Sequence, residues 1–223
     1  MNLSGSQPER NASLTQYKFT DLSGPGRRAI WATMVFACAQ IGLSIATLYQ
    51  NAVIRRYIDG TADDQALTQS DTVVGSASII FLVVIVAVYF VNGRFVYLAS
   101  RNAAVIRPDP TAIKPGWAVG WYAVPIANLW MPYTAMKQTW QRSFQNENAV
   151  PQWFGIWWLS WAGMNIYDRV LGRLNAPDNL PDYIGYNQAF ILSGVLWLIP
   201  SYFFLRIIRG LMQADHNPAE VFA

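Results

Sequence analysis

Five stretches of the chain, residues 29–54, 72–93, 115–136, 148–167 and 183–205, contain no Asp, Glu, Lys or Arg. Each is about the 20 residues that a helix rising 1.5 Å per residue needs to cross roughly 30 Å of hydrocarbon. Soluble domains carry about 25% charged residues, whereas this chain has 13%, against 53% hydrophobic. Lipid cannot satisfy a free backbone N–H or C=O, and none of the stretches alternates like the strands of a barrel, so all read as helices. The expected fold class is therefore all-α, a polytopic integral membrane protein. Residues 1–26 form a polar, largely unstructured tail, 27–212 a single helical membrane domain and 213–223 a short carboxyl-terminal tail.

The third stretch lies within "WAVGWYAVPIANLWMPYTAMKQTW", residues 117–140, and is the least regular. Pro125 and Pro132 each remove a donor and clash with the carbonyl four residues back, so one straight helix is excluded. Two short pieces hinged around residues 128–131 are expected, with Asn128 bonding the freed carbonyls. Trp117, Trp121, Trp130 and Trp140 suit headgroup depth, as in a shallow re-entrant or interfacial hairpin. Pro132 then opens an amphipathic helix with Tyr133, Met136 and Trp140 on one face. Elsewhere "GPGRR" at 24–28, "RPDPTAIKPG" at 107–116 and "NAPDNLP" at 175–181 read as helix breakers, while "GRFVYLASR" at 93–101 continues the second helix beyond the bilayer.

Lys and Arg in the short flanks set orientation. If 115–136 does not cross, Lys137, Arg142, Arg206 and Arg209 fall on the cytoplasmic side and the acid-rich loops at 59–71 and 175–183 lie outside. Four transmembrane helices plus the Pro-broken segment, with both termini cytoplasmic, is the expected topology; five spans is the alternative. No apolar core of a cleavable signal precedes residue 27, so the first span is expected to act as its own insertion signal. The sequon at Asn11 then lies on the cytoplasmic side. No internal repeat of the inverted-transporter kind is visible.

Chemistry is sparse. Cys38 is the only cysteine and His216 the only histidine, so one chain offers no disulfide, Cys/His metal cluster, bis-histidine haem or Ser/His/Asp set. No phosphate-binding Gly-rich loop occurs either, and the protein is expected not to be an enzyme. Cys38 reads as a small packing residue. No uncharged stretch holds an ionisable group at mid-depth, which argues against a proton pump, antiporter or voltage sensor. Asp168 and Arg169 sit just past the fourth stretch and read as interfacial anchors, although Asn165 and Asp168, three apart, share a helix face and offer a polar site. Trp153, Trp157 and Trp161 make one stripe, read as helix packing eased by Gly155 and Gly163. The competing reading is an aromatic wall for a lipid, quinone or pigment tail; no cofactor is expected from this chain alone. Arg206 and Arg209, one turn apart, are inside anchors or contacts for an anionic lipid headgroup. The net charge of +3 comes from cations placed singly or in pairs at the ends of apolar stretches, not in a patch, so nucleic acid is not an expected partner.

Pro125, Ile126, Asn128, Leu129, Trp130, Pro132 and Tyr133, as "PIANLWMPY", followed by Met136 and Trp140, resemble the signature of the bacterial membrane family called domain of unknown function 4328. Trp157 and Trp158 are also similar to that family's pattern, and the resemblance covers residues 75–212. It implies a polytopic bacterial membrane protein, with a variable cytoplasmic-side amino-terminal region in some members, and no activity; the inner membrane is the expected location. The expected function is a non-enzymatic scaffold or accessory subunit of a larger membrane assembly, with membrane lipids and a protein partner or second copy as its contacts. The alternative is a channel or carrier for a small or lipid-like solute. In it the interrupted segment lines the route through Pro125, Asn128, Trp130, Pro132, Tyr133 and Trp140, with Trp157, Trp161, Asn165 and Asp168 in the next helix.

Overall fold

The computed structural model describes residues 17–214; Asn11, His216 and the outer parts of both tails lie outside the described residues. The elements are α1 (Ser23–Ile58), α2 (Asp64–Ile106), α3 (Pro115–Gly120), two 3₁₀ turns (Trp121–Ala123 and Ala127–Leu129), α4 (Met131–Ser143), α5 (Trp153–Leu171), α6 (Leu180–Leu196) and α7 (Leu198–Ala214). No strand occurs among the described residues, as the helical reading requires. Three helices are long and apolar enough to cross a membrane: α1, α2, and α6 with α7 taken together as Leu180–Ala214. The 43 residues of α2 amount to about 64 Å, so "GRFVYLASR" does extend the helix.

Local sequence explains the boundaries, with one correction. "GPG" does not precede the first helix but forms its first turn. Ser23 donates to the Asp21 carboxylate through both its N–H (2.7 Å) and its hydroxyl (2.5 Å), and Gly26 N–H already bonds Leu22 O at 2.7 Å. Pro25 is tolerated there because its missing N–H would have no partner in a first turn. Gly26 lets Met212 approach, since a Cβ would collide with that side chain. At the start of α6, Asn179 caps the helix by accepting from Asp182 N–H at 2.9 Å, and Pro181 occupies the first turn. The joint between α6 and α7 has its cause in Pro200, which cannot bond the carbonyl of Leu196 four residues back.

The chain divides into two compact units. One holds residues 17–30, 90–154 and 206–214. Its buried core is ordinarily apolar: Leu22, Phe95, Ala99, Met136, Trp140, Phe154, Ile207, Ile208 and Leu211.

The other unit, Trp31–Tyr89 with Gly155–Leu205, is inverted. Its buried side chains include Thr33, Gln40, Ser44, Thr47, Gln50, Asn51, Ser70, Asn187, Ser193 and Ser201. Its exposed ones include Ile45, Ile79, Ile80, Leu82, Val83, Leu159 and Val195. The most apolar stretch of α2 has no buried residue at all. Water would penalise this arrangement, since monomeric soluble proteins rarely expose apolar patches beyond a few hundred Å²; lipid does not. Cys38 is exposed on this outer surface, so it is not a packing residue within the chain.

Candidate functional site

In the inverted unit, Gln40, Ser44, Thr47 and Asn51 recur at intervals of four, three and four along α1 and so share one face. Toward the end of α1, Asn187 Nδ2 of α6 donates to both Gln50 Oε1 and Asn51 Oδ1 at 2.8 Å. Gln50 Nε2 in turn donates to Asp71 Oδ1 of α2 at 2.8 Å. Gly194 of α6 stands against Ser44, where a Cβ would overlap the hydroxyl. The bare glycine lets the two helices close on their polar faces.

Asp168 completes this polar seam. Ser193 Oγ donates to its Oδ1 at 2.5 Å and Trp197 Nε1 to its Oδ2 at 2.7 Å, while the Trp197 ring meets Phe36 edge-on at 5.8 Å. Ser193 and Trp197 occupy the middle of the uncharged 183–205 stretch. The carboxylate, in the last turn of α5, therefore reaches the joint between α6 and α7 and ties α5 to α6–α7. Asn165 does not join it, because its Nδ2 bonds Trp161 O of its own helix at 2.9 Å. Arg169 points out.

The tryptophan stripe of α5 divides between the units. Within the inverted unit Trp157 is buried and stacks on Phe204 with centroids 6.3 Å apart, and Trp158 stacks on Trp161 at 5.0 Å. Packing thus fills the stripe, but Gly155 and Gly163 do not ease it, since a Cβ at either would meet nothing within 4 Å.

The other unit contains the interrupted segment. The break is wider than residues 128–131: regular helix stops at Gly120 and resumes at Met131. Between the two 3₁₀ turns Ile126 has φ 66° and ψ −60°, and Ala127 N–H bonds Pro125 O at 2.7 Å across it. That is a γ-turn of the positive-φ kind, unusual for any residue and a severe strain for a β-branched one. Holding it costs about 1–3 kcal/mol. The Ile126 side chain is 69% exposed.

Polar groups here are left open. Asn128 is only 4% exposed, yet its Oδ1 has no hydrogen-bond partner, and neither does the buried Nε1 of Trp121. Asn128 thus does not serve the freed carbonyls through a side-chain bond; its backbone N–H bonds Val124 O at 3.0 Å. Trp117 packs on Trp121 with centroids 4.6 Å apart, while Trp117 and Trp130 remain half exposed.

Trp140 differs from these. It is buried, donates from Nε1 to Ala149 O at 3.0 Å, and packs against Trp153 and Phe154 at 6.0 and 5.6 Å. Gly210 lies against the six-membered part of its ring, with no room for a Cβ. Pro132, Ala135, Met136 and Trp140 are all buried, and Tyr133 reaches Phe154 at 6.1 Å. The apolar face of α4 therefore builds this unit's core and is not an amphipathic surface. Arg206 is exposed, with its guanidinium 4.5 Å over the Trp153 ring, and Arg209 is also exposed.

Three polar arrangements in this unit escaped the sequence. Asn102 brackets Thr20, accepting from its N–H at 3.0 Å and donating to its O at 2.6 Å. Arg101 donates to Lys18 O at 2.7 Å and lies between the Tyr17 and Tyr97 rings. Arg142 Nε donates to Arg107 O at 2.8 Å, and burial holds its guanidinium below the usual arginine value despite Asp109 nearby. Thr111 donates to Asp109 through its hydroxyl and N–H, which lowers that carboxyl. No group of three or more His, Cys, Asp or Glu that could hold a metal ion exists among the described residues.

The model of the family described as domain of unknown function (DUF4328) matches residues 59–213. That is more than half of the chain, and the chain belongs to this family. The match extends the resemblance read from "PIANLWMPY" in both directions and takes in Asp71, Asp168 and Asn187 as well as Trp121 and Asn128. No curated protein and no solved structure matches the chain.

Proposed function

We propose that this DUF4328 protein is a multi-pass protein of the bacterial inner membrane, a non-enzymatic scaffold or accessory subunit of a larger membrane assembly. In this reading α1, α2, α5 and α6–α7 make four crossings, the amino terminus is cytoplasmic, and the segment from Trp117 to Trp130 rests in the cytoplasmic interface. The 19 residues of α5 cover about 28 Å, enough for a crossing although its tryptophans and Asp168 make it less apolar than the other three.

The observation that carries the scaffold reading is the seam. Asp71, Gln50, Asn51 and Asn187 bond one another, and Asp168 is taken up by Ser193 and Trp197. A polar interior that satisfies itself supports helix association, whereas a solute route needs groups left free to exchange partners. The outer faces, with exposed Trp31 and Trp130, are then what the protein offers to neighbours. Mild solubilisation at native abundance should release it as an oligomer or with partner subunits; a lone monomer overturns the reading. Impermeant thiol labelling of Gln65→Cys and Gln213→Cys in a Cys38→Ser background tests topology, and labelling at 213 from outside intact cells sinks the four-span arrangement.

A second reading, a carrier or channel for a lipid-like solute, is favoured by one observation: the unpartnered Asn128 Oδ1 in the interrupted segment. It expects Asn128→Leu to abolish a flux and leave assembly intact.

A further inference from the structure

Two buried polar atoms in one short stretch have complementary needs. Trp121 Nε1–H can only donate, and Asn128 Oδ1 can only accept; neither has a partner. They belong to successive single turns tied through Val124, whose N–H bonds Trp121 O at 3.3 Å and whose O accepts from Asn128 N–H at 3.0 Å. The strained turn at Ile126 lies between them. Buried polar groups are nearly always satisfied, and strain of this kind collects where a ligand is held.

We propose that Trp121 and Asn128 bind a neutral hydroxyl group, and that the hydroxyl belongs to a membrane lipid of the diacylglycerol type. A hydroxyl is the smallest group that accepts from the indole and donates to the carboxamide at once. An anion would satisfy Trp121 and confront the Asn128 oxygen, and a cation would do the reverse. No charged residue occurs anywhere in 115–136 to offset either. With the Asn128 amide turned over, a hydroxyl would still serve, accepting from both N–H groups. The rest of the ligand is apolar, because the large exposed side chains of the segment are Trp117, Ile126 and Trp130, a surface suited to acyl chains at headgroup depth.

The proposal rests on the interfacial seating put forward above, and one preparation separates the two. The full chain, labelled with nitrogen-15 tryptophan, is placed in phosphatidylcholine nanodiscs, with the Trp121 indole signal assigned by Trp121→Phe. Dioctanoylglycerol should shift that signal saturably. Its methyl ether keeps the acceptor but cannot serve Asn128, so it should bind about tenfold more weakly or worse. Asn128→Leu, an apolar replacement of similar size that removes the unmet acceptor without opening a cavity, should erase the difference between the two lipids.

Equal response to alcohol and ether overturns the proposal, as does the absence of a saturable shift, which would leave bound water as the only partner. A saturable shift with free glycerol at the same concentration overturns the lipid source. Brominated phosphatidylcholine should quench the fluorescence that Trp130→Phe removes. Failure of that quenching with a surviving Trp121 shift would discard the seating and keep the hydroxyl site.

Discussion

Asp168→Ala tests whether the seam is what holds α5 to α6–α7. Ser193 lies thirteen residues into a helix that begins at Leu180, which puts the carboxylate about 20 Å along it. The substitution removes two interhelical hydrogen bonds. Bonds to a charged acceptor contribute about 1.5–3 kcal/mol in water-soluble proteins, but interhelical bonds in membranes average only about 0.6 and reach about 1.7. Two such bonds give about 1–3 kcal/mol. Alanine also strands the Trp197 indole N–H, which accepts no substitute, for a further penalty of about 1–3 kcal/mol. The total expected is about 2–6 kcal/mol. Asp168→Asn is the control: its oxygen can take the indole N–H while its Nδ2 donates to Ser193 Oγ, which turns from donor to acceptor. It should cost less than about 1 kcal/mol, since only the charge of the acceptor is lost. Unfolding of the purified protein by dodecyl sulfate in mixed micelles, followed by near-ultraviolet circular dichroism, gives these differences. A cycle with Trp197→Phe should return a coupling of about 0.6–1.7 kcal/mol. Zero coupling, or asparagine as damaging as alanine, would refute the clamp and return Asp168 to a role in which its charge is what matters.

Asn128→Leu is expected to raise the thermal midpoint of protein freed of lipid alcohols, by about 1–2 kcal/mol of stability, because it removes an unmet buried acceptor; a lower midpoint would mean that Asn128 is bonded. Gly210→Ala should lose about 1–3 kcal/mol by driving the Trp140 ring off the Ala149 carbonyl, whereas Gly155→Ala, with open space around its Cβ, should gain about 0.5–1 kcal/mol from helix propensity. The pair is read by the same unfolding assay, and equal effects would dismiss the close approach at Gly210. Asp109 has its carboxyl lowered by Thr111, so its contribution is present above the ordinary value of 3.8 and fades as pH falls through the depressed one. Asp109→Asn should therefore lower neutral stability by the amount that acid removes from the parent protein and flatten the acid limb of a stability profile below about pH 4, and an unaltered acid limb would count against the Thr111 bonds.

Charge-free length was enough to find the long helices, and the two prolines were enough to find the interrupted segment, because both effects act locally along the backbone. Position relative to another helix is not local. Asp168 lies one residue past an uncharged stretch, so counting along the chain puts it at a surface, yet the stagger of α5 against α6–α7 places it beside Ser193 and Trp197. Trp140 shows the same limit in the opposite sense: an indole at the end of a Trp-rich run looks like an interfacial anchor until the missing side chain of Gly210 makes room for it. The stripe of Gln40, Ser44, Thr47 and Asn51 was present in the spacing of the first stretch, but a search for charge treats amides and hydroxyls as silence. Lipid does not, since each of those groups needs a partner there.

The two units treat their polar groups in opposite ways, and that difference decides where function is to be sought. In lipid, apolar side chains gain little by meeting each other, so hydrogen bonds and close backbone contacts must select one packing. The seam of the inverted unit does this, with a bare glycine at Ser44 and a carboxylate fixed by two donors. Its groups are engaged, and a ligand entering there would have to break bonds worth as much as those it made. The segment from Trp121 to Asn128 has the reverse balance. A donor and an acceptor are buried without hydrogen-bond partners beside a backbone turn that the chain holds under strain, so a ligand there would break no side-chain hydrogen bond of either. Natural chains retain such local inconsistencies mainly where binding compensates for them. The stretch "PIANLWMPY", through which the chain resembles the family, overlaps this segment from Pro125 to Asn128, and the binding role proposed above is placed there.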